Sequence, residues 1–140
     1  MSRIRQYRYF ARDIGFIAAA ISAFVTTSGV AQGPVLAMLD RLEPGQWEVR
    51  ARPEGSAFKI CIDNGRKLIQ MRHQGDACRR FVVDDTAEMV TVHYTCPANG
   101  YGQTTIRFDN PRLVRLETQG ISKGLPFNFS GEARRLGSCR

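Results

Sequence analysis

The chain has 140 residues, with 20 Lys+Arg, 13 Asp+Glu and a formal net charge of +7. This length favours one small domain, and a hydrophobic fraction of 43% excludes a disordered chain. No apolar run reaches the roughly 18 residues that a membrane-spanning helix requires, so we expect no membrane span.

Residues 1–31 are predicted to form a secretory signal peptide. Four arginines precede an apolar run over residues 14–25, and small residues follow up to Ala31. The run is too short to span a bilayer, and the alternative, a buried N-terminal helix, would have no polar face. We therefore predict cleavage near Ala31 and a single mainly-β domain over residues 32–140, which would be a soluble periplasmic protein.

Cleavage also changes what the charge implies about partners. Residues 1–31 contain four arginines and one aspartate, so the formal charge of the mature chain is +4 rather than +7. Such a modest charge does not indicate a nucleic-acid partner. The expected partner is an unknown small ligand or an envelope protein.

The first elements of the mature chain are a helical turn and a hairpin. The turn is predicted over residues 35–41. Trp47 and Val49 then alternate with charged residues, which is the period-two pattern of a half-buried strand over residues 46–52. Residues 58–62 repeat this alternation after a turn, so the two strands are expected to pair.

A short helix and five further strands are predicted in the rest of the chain. Asp63 can cap a helix over residues 64–72. Alternating apolar residues, separated by turn residues, predict strands over residues 79–84, 88–96, 104–109, 112–118 and 127–135. This spacing predicts a mainly-β fold, a curved antiparallel meander resembling a half-barrel and closed by the helix.

The inward phase of these strands predicts an aromatic face. In six of the seven predicted strands, a large aromatic residue falls in the phase that we expect to point inward. The residues expected to share one side of the sheet are Trp47, Phe58, Phe81, Tyr94, Phe108 and Phe129.

Four cysteines lie in the mature chain, at Cys61, Cys78, Cys96 and Cys139. Their even number and the predicted export indicate two structural disulfides. Because no Cys-x-x-Cys pair is present, we predict no metal site, no cofactor and no redox-active dithiol.

The pairing of these cysteines has two possible solutions. If the strands alternate in direction, Cys78 and Cys96 fall at one end of the sheet, which favours Cys78 with Cys96 and Cys61 with Cys139. Sequence proximity favours instead Cys61 with Cys78 and Cys96 with Cys139. We prefer the second pairing, because disulfides between adjacent strands are often strained.

Several motifs carry a resemblance to a known family. They are a Pro-Gly-x-Trp-Glu opening at residues 44–48, Tyr-Thr before Cys96, a strand flanked by glycine after Gly100, and a closing Gly-Ser-Cys at residues 137–139. With its four cysteines, the chain resembles a proteobacterial family of secreted proteins classed as a domain of unknown function. The resemblance implies a periplasmic location and disulfides, and it implies no activity, substrate or cofactor.

Few residues indicate catalysis. His73 is expected at the end of the predicted helix and His93 on the outer face of its strand, and neither accompanies a carboxylate motif. No serine lies in a Gly-x-Ser-x-Gly setting. We therefore predict no catalytic residues, and a binding protein is expected rather than an enzyme.

Clustered arginines raise the alternative of a positive surface for an anionic lipid, glycan or protein. We prefer an ordinary solvated sheet face, because glutamates lie among them. The arginines concerned are Arg72, Arg79, Arg80, Arg107, Arg115, Arg134, Arg135 and Arg140.

The sequence leaves three classes of function open. We predict a non-enzymatic small-ligand-binding or envelope-accessory module, because a curved sheet presents a concave apolar face. A structural or protein-interaction protein of the periplasm is the alternative, and an enzyme of unrecognised type is the third possibility. The sequence identifies neither the ligand nor the residues that bind it.

Overall fold

The computed structural model describes residues 35–53 and 55–140. The predicted signal peptide, residues 1–31, and its cleavage point lie outside the described residues. Within the described chain, seven strands form one antiparallel sheet. They are β1 (Gly45–Ala51), β2 (Ala57–Ile62), β3 (Arg79–Asp85), β4 (Met89–Cys96), β5 (Gly100–Asn110), β6 (Leu113–Ser122) and β7 (Leu125–Gly137).

The sheet is open, with β2 and β3 as its two edges. The strand order is β2-β1-β7-β6-β5-β4-β3. Strands β3 to β7 follow one another as a meander, and β7 pairs antiparallel with β1. The prediction of a mainly-β antiparallel meander is therefore confirmed. Because β2 and β3 lie at opposite edges, residues 63–78 must carry the chain across the sheet, and we call them the crossing segment.

The crossing segment is not the predicted helix over residues 64–72. It forms two short 3-10 turns, Gly65–Leu68 and Met71–His73. Asn64, rather than Asp63, caps the first turn, since its side-chain oxygen accepts a hydrogen bond from the Arg66 amide at 2.9 Å.

The reason for the broken helix is a competing hydrogen bond from the sheet. The Thr104 hydroxyl donates to the carbonyl of Ile69 at 2.6 Å. Gln70, the next residue, has a non-helical backbone, with φ −120° and ψ 47°. A buried side chain of the sheet therefore replaces a contact that a regular helix would make along its own backbone.

The helical turn predicted over residues 35–41 is confirmed as α1 (Ala37–Asp40). Arg66 of the crossing segment forms an ion pair with Asp40, so α1 and the crossing segment are joined to each other. No helix in the described residues is long and apolar enough to cross a membrane.

One side of the sheet, which we call the inner face, carries the core. Trp47, Val92 and Tyr94 of this face are fully buried beneath α1 and the crossing segment. The apolar residues that complete this core are Leu36, Met38, Leu39, Leu42, Val49, Ile62, Leu68, Ile69, Val90, Cys96, Ile106, Val114, Leu116 and Ala133.

Five of the six aromatic residues expected on one side do share the inner face. They are Trp47, Phe58, Tyr94, Phe108 and Phe129. The prediction for Phe81 is wrong, because Phe81 pairs with His93, while its neighbour Arg80 pairs with Tyr94. Phe81 therefore lies on the outer face and is 69% exposed.

In β3 the residues that point inward are the opposite of those predicted, and the reason is that β3 lies at an edge of the sheet. Arg80 points to the inner side, where its guanidinium donates to the Gln70 amide oxygen of the crossing segment at 2.7 Å. A bulge between Val82 and Asp84 then shifts the phase. As a result, the Asp85 carboxylate can accept a hydrogen bond from the Leu36 amide at 2.8 Å.

Two disulfides are present, as expected, but the preferred pairing by sequence proximity is wrong. Cys78 is bonded to Cys96 and Cys61 to Cys139. Cys78 precedes β3 and Cys96 ends the antiparallel neighbour β4, so their Cα atoms are 4.2 Å apart. Gln46 of β1 pairs with both Cys61 and Gly137, which explains why the end of the chain reaches β2.

Candidate ligand-binding site

A hollow of about 360 Å³ lies on the inner face beside the crossing segment. Three parts of the chain enclose it: the start of β2, the second 3-10 turn, and the neighbouring strands β6 and β7. Its lining residues are Ser56, Phe58, Met71, Arg72, Gln74, Thr118 and Phe129. We call this cavity the inner-face hollow.

The apolar wall of the inner-face hollow is open to solvent. Phe58 pairs with Val49, which is fully buried, so both side chains belong to the inner face. Phe58 is nevertheless 43% exposed. Phe129 and Met71 pack against the core and are only partly buried. The core therefore continues into the hollow as an apolar wall that the described chain does not cover.

The polar groups at the floor of the hollow are already hydrogen-bonded within the protein. The Thr118 hydroxyl donates to that of Thr104 at 2.7 Å, because the single hydroxyl hydrogen of Thr104 is already donated to the carbonyl of Ile69. Burial raises the pKa of the nearby Tyr94 hydroxyl above its usual value, and a hydrogen bond with Thr118 acts in the opposite direction. Tyr94 is therefore held neutral and belongs to the packed core rather than to a reactive centre.

Arg72 supplies the cationic group among the lining residues. Its guanidinium carbon lies 5.9 Å from the centre of the Phe127 ring. Arg72 is exposed. It can therefore meet an anionic group at the mouth of the hollow while the apolar wall holds the rest of a ligand.

His73 is buried, not at the surface as its predicted place at a helix end implied. Only 1% of it is exposed. Its Nδ1 lies 3.3 Å from the Tyr94 hydroxyl and its Nε2 lies 3.0 Å from the carbonyl of Asn99. Both ring nitrogens thus have protein partners, so His73 ties the crossing segment to the sheet.

Gly102 is the one residue of the sequence that indicates the close packing of Tyr94 and His73. Gly102 pairs with Tyr94, and a Cβ atom there would lie 2.4 Å from the Tyr94 hydroxyl. A side chain at this position would displace the Tyr94 ring, which the packing of His73 requires. Glycine opposite an inward tyrosine therefore indicates a crowded polar contact.

His93 lies on the outer face, as predicted, opposite Gln103 of β5. Its ring stacks on Tyr101 with the ring centres 6.1 Å apart. The sheet separates it from His73, which packs on the inner face. The two histidines therefore do not share a site.

One cluster has the donor atoms of a metal site, but their chemistry does not fit a metal. The carboxylate of Asp76 lies within 4.8 Å of the sulfur atoms of Cys78 and Cys96. Those two sulfurs are bonded to each other. Neither is available as a thiolate ligand, so this cluster cannot hold zinc while the disulfide is intact.

The arginines do not form one positive surface. Arg115 is paired with Asp109 at 2.7 Å, and Arg135 lies 3.6 Å from Glu43. Arg80 points to the inner side of the sheet, while Arg115 lies on the outer face. Because some of these arginines are ion-paired and others lie on opposite faces of the sheet, they do not form a continuous positive surface.

A larger hollow of about 410 Å³ is lined mainly by the end of β2 and the crossing segment. Its charged groups are already paired within the protein. Arg66 is bound to Asp40, Lys67 lies 3.4 Å from Asp63, and Arg80 donates to Gln70. The smaller inner-face hollow is the better candidate, because its apolar wall gains most from a ligand.

A family model described as "Protein of unknown function (DUF3617)" matches residues 42–139. No curated protein matches the chain in sequence. The matched residues make up most of the chain, so the chain belongs to this family.

Proposed function

We propose that this member of the DUF3617 family is a non-enzymatic periplasmic protein that binds a small, mainly apolar ligand in the inner-face hollow. One observation carries the proposal. Phe58 faces the core side of the sheet and yet is 43% exposed, beside the partly buried Phe129. A ligand that covered these two rings would remove apolar surface from water without any rearrangement of the core.

The lining residues define the chemistry of the ligand. A volume of about 360 Å³ falls within the range of small-molecule sites. Phe58, Met71 and Phe129 favour an aromatic or branched apolar body. The exposed Arg72 favours one anionic group at the mouth of the hollow. The proposed ligand is therefore a small amphiphile with a single acidic group.

The same residues argue for binding rather than catalysis. Among the described residues that line the hollow, none is a histidine or a carboxylate that could serve as a general base for Ser56. His73 packs nearby, but both its ring nitrogens lie against protein groups. This arrangement supports a site that holds its ligand unchanged.

The periplasmic location in this proposal is supported by the cysteines. Both disulfides, Cys61–Cys139 and Cys78–Cys96, belong to the domain that remains after cleavage near Ala31. Structural disulfides persist in oxidising compartments such as the periplasm. The predicted signal peptide over residues 1–31 would deliver the chain there.

A protein-interaction role has one observation in its favour. Phe81 and Val83 are 69% and 56% exposed on the outer side of β3, and no described strand pairs with the free edge of β3. Exposed apolar residues on an edge strand suit pairing with another chain. We rank this role second, because Phe58 and Phe129 line a concave site whereas Phe81 and Val83 belong to an edge.

The ligand proposal predicts that an aromatic sulfonate binds the hollow. Titration of the mature chain with 1-anilinonaphthalene-8-sulfonate should raise the probe's fluorescence, because its rings fit the apolar wall and its sulfonate meets Arg72. Phe58→Ala should raise the Kd about five- to thirtyfold, since one aromatic contact is worth about 1 to 2 kcal/mol.

Phe81→Ala is the matched control, because it removes another exposed phenylalanine from the opposite face. Its Kd should equal that of the unaltered protein. Thermal unfolding should show both variants to be folded. Equal affinity of Phe58→Ala and the unaltered chain, or an equal loss in both variants, would refute the proposed site.

A further inference from the structure

A histidine and three side-chain amides form a row across the outer face of the sheet. His93 pairs with Gln103, Gln103 with Gln119, and Gln119 with Asn128, so the row crosses β4, β5, β6 and β7 in register. Residues opposite each other in antiparallel strands point to the same side. With strands about 4.8 Å apart, these four positions span roughly 14 Å.

This row lines a continuous depression. One cavity of about 350 Å³ is lined by His93, Gln103, Gln119 and Asn128, among others, and a second of about 170 Å³ shares the last three of these residues. Tyr101 also lines the larger cavity. The row therefore lies along two shallow, open hollows that share three of its side chains.

The polar groups of the row are available for a ligand. Gln103, Gln119 and Asn128 are exposed, and within the described chain their side-chain amides make no hydrogen bond to protein. Each amide offers two donor hydrogens and one acceptor oxygen. Three such groups side by side match a molecule that presents alternating hydroxyl donors and acceptors.

An aromatic ring borders the row at one end. Tyr101 is 48% exposed, and its ring stacks on His93 with an angle of 29° between the planes. The stacking favours one orientation of the Tyr101 ring, which presents an apolar surface beside the amides. A sugar ring matches both the aromatic ring and the amides, since it has an apolar C–H face and hydroxyl groups at its rim.

We propose that the surface formed by His93, Tyr101, Gln103, Gln119 and Asn128, the amide surface, binds a neutral oligosaccharide. The ligand is neutral because the row carries no lysine or arginine that would bind a phosphate or carboxylate. Glu117 lines the smaller cavity and opposes anions, while its oxygens can accept hydrogen bonds from hydroxyl groups. The amide surface is separated by the sheet from the inner-face hollow, so this site does not depend on the ligand proposed there.

Titration with neutral tetrasaccharides tests this site directly. Cellotetraose and chitotetraose would each be added to the ¹⁵N-labelled mature chain, and the side-chain amide resonances followed by NMR. We expect at least one sugar to shift the amides of Gln103, Gln119 and Asn128 with saturation. Gln119→Ala and Tyr101→Ala should each weaken binding about tenfold, the loss of one good contact.

The matched control is Gln46→Ala. Gln46 pairs with Gly137, nine residues along β7 from Asn128 and roughly 30 Å away. This variant should bind as the unaltered chain does, and backbone resonances show whether each variant is folded. The proposal fails if neither sugar shifts these amides at about 10 mM, tenfold above a weak Kd of about 1 mM. It also fails if Gln119→Ala and Tyr101→Ala both bind unchanged, or if Gln46→Ala loses as much affinity as they do.

Discussion

Replacing Cys61 and Cys139 by alanine should lower the free energy of unfolding by about 4 kcal/mol. The bridged residues are 78 positions apart, and a cross-link restricts the unfolded chain more when it closes a longer loop. The Cys78–Cys96 bridge closes only 18 positions, so its loss should cost about 3 kcal/mol. Either loss is a large share of the roughly 5 to 15 kcal/mol typical of a domain.

Urea unfolding of the mature chain and of the two variants shows which disulfide contributes more to the free energy of unfolding. Cys96 is only 2% exposed, so Cys78→Ala is best combined with Cys96→Val, which keeps the buried volume filled. Thiol titration of the unreduced, denatured parent should find no free thiol. Free thiols in the parent, or a larger loss from the short-loop variant, would contradict the structural role assigned to the bridges.

Trp47→Ala should lower the free energy of unfolding by about 3 to 5 kcal/mol. The Trp47 side chain is fully buried, and its indole nitrogen donates to the carbonyl of Glu43 at 3.0 Å. The substitution leaves a large cavity and an unpaired carbonyl beside β1.

The same urea experiment tests this prediction with two comparisons. Trp47→Phe should cost less, because it refills much of the cavity and loses mainly the hydrogen bond, worth about 1 kcal/mol. Phe81→Ala removes an aromatic ring that is 69% exposed and should change stability by no more than about 0.5 kcal/mol. If Trp47→Ala costs no more than Phe81→Ala, the core described for the inner face is wrong.

Strands could be predicted because burial on one face imposes a period of two. Val90, Val92 and Tyr94 alternate with more polar residues, and all three are fully buried in β4. The same rule failed at the edge strand β3. There no described element covers Phe81 on its side of the sheet, while Arg80 reaches Gln70 of the crossing segment. At an edge, a long polar side chain can take the inward position.

The crossing segment could not be predicted because its conformation depends on distant residues. Residues 64–72 have the composition of a helix, but Ile69 is hydrogen-bonded by Thr104, 35 positions later. His73 is buried for the same reason, since its partners belong to β4 and the turn that follows it. Alternating strand direction points to the pairing of Cys61 with Cys139, but only the position of β7 beside β1 decides between it and the pairing by sequence proximity.

The candidate sites could not be predicted from the sequence for a related reason. The inner-face hollow combines Phe58, Met71 and Phe129 from three separate elements. Periodicity places Phe58 and Phe129 on the inner face, but it does not tell which inward side chains remain uncovered. The amide surface requires the register of four strands, and a shift by one residue in any of them would remove its amide from the row.

Native mass spectrometry of the protein purified from the envelope of the cells that make it tests the central claim most directly. We predict a chain that begins at Gln32, contains two disulfides and carries a small acidic molecule released on denaturation. Phe58→Ala, purified in the same way, should have lost most of this molecule, while Phe81→Ala should retain it. A bare chain, or a bound molecule that Phe58→Ala retains in full, would contradict a ligand in the inner-face hollow.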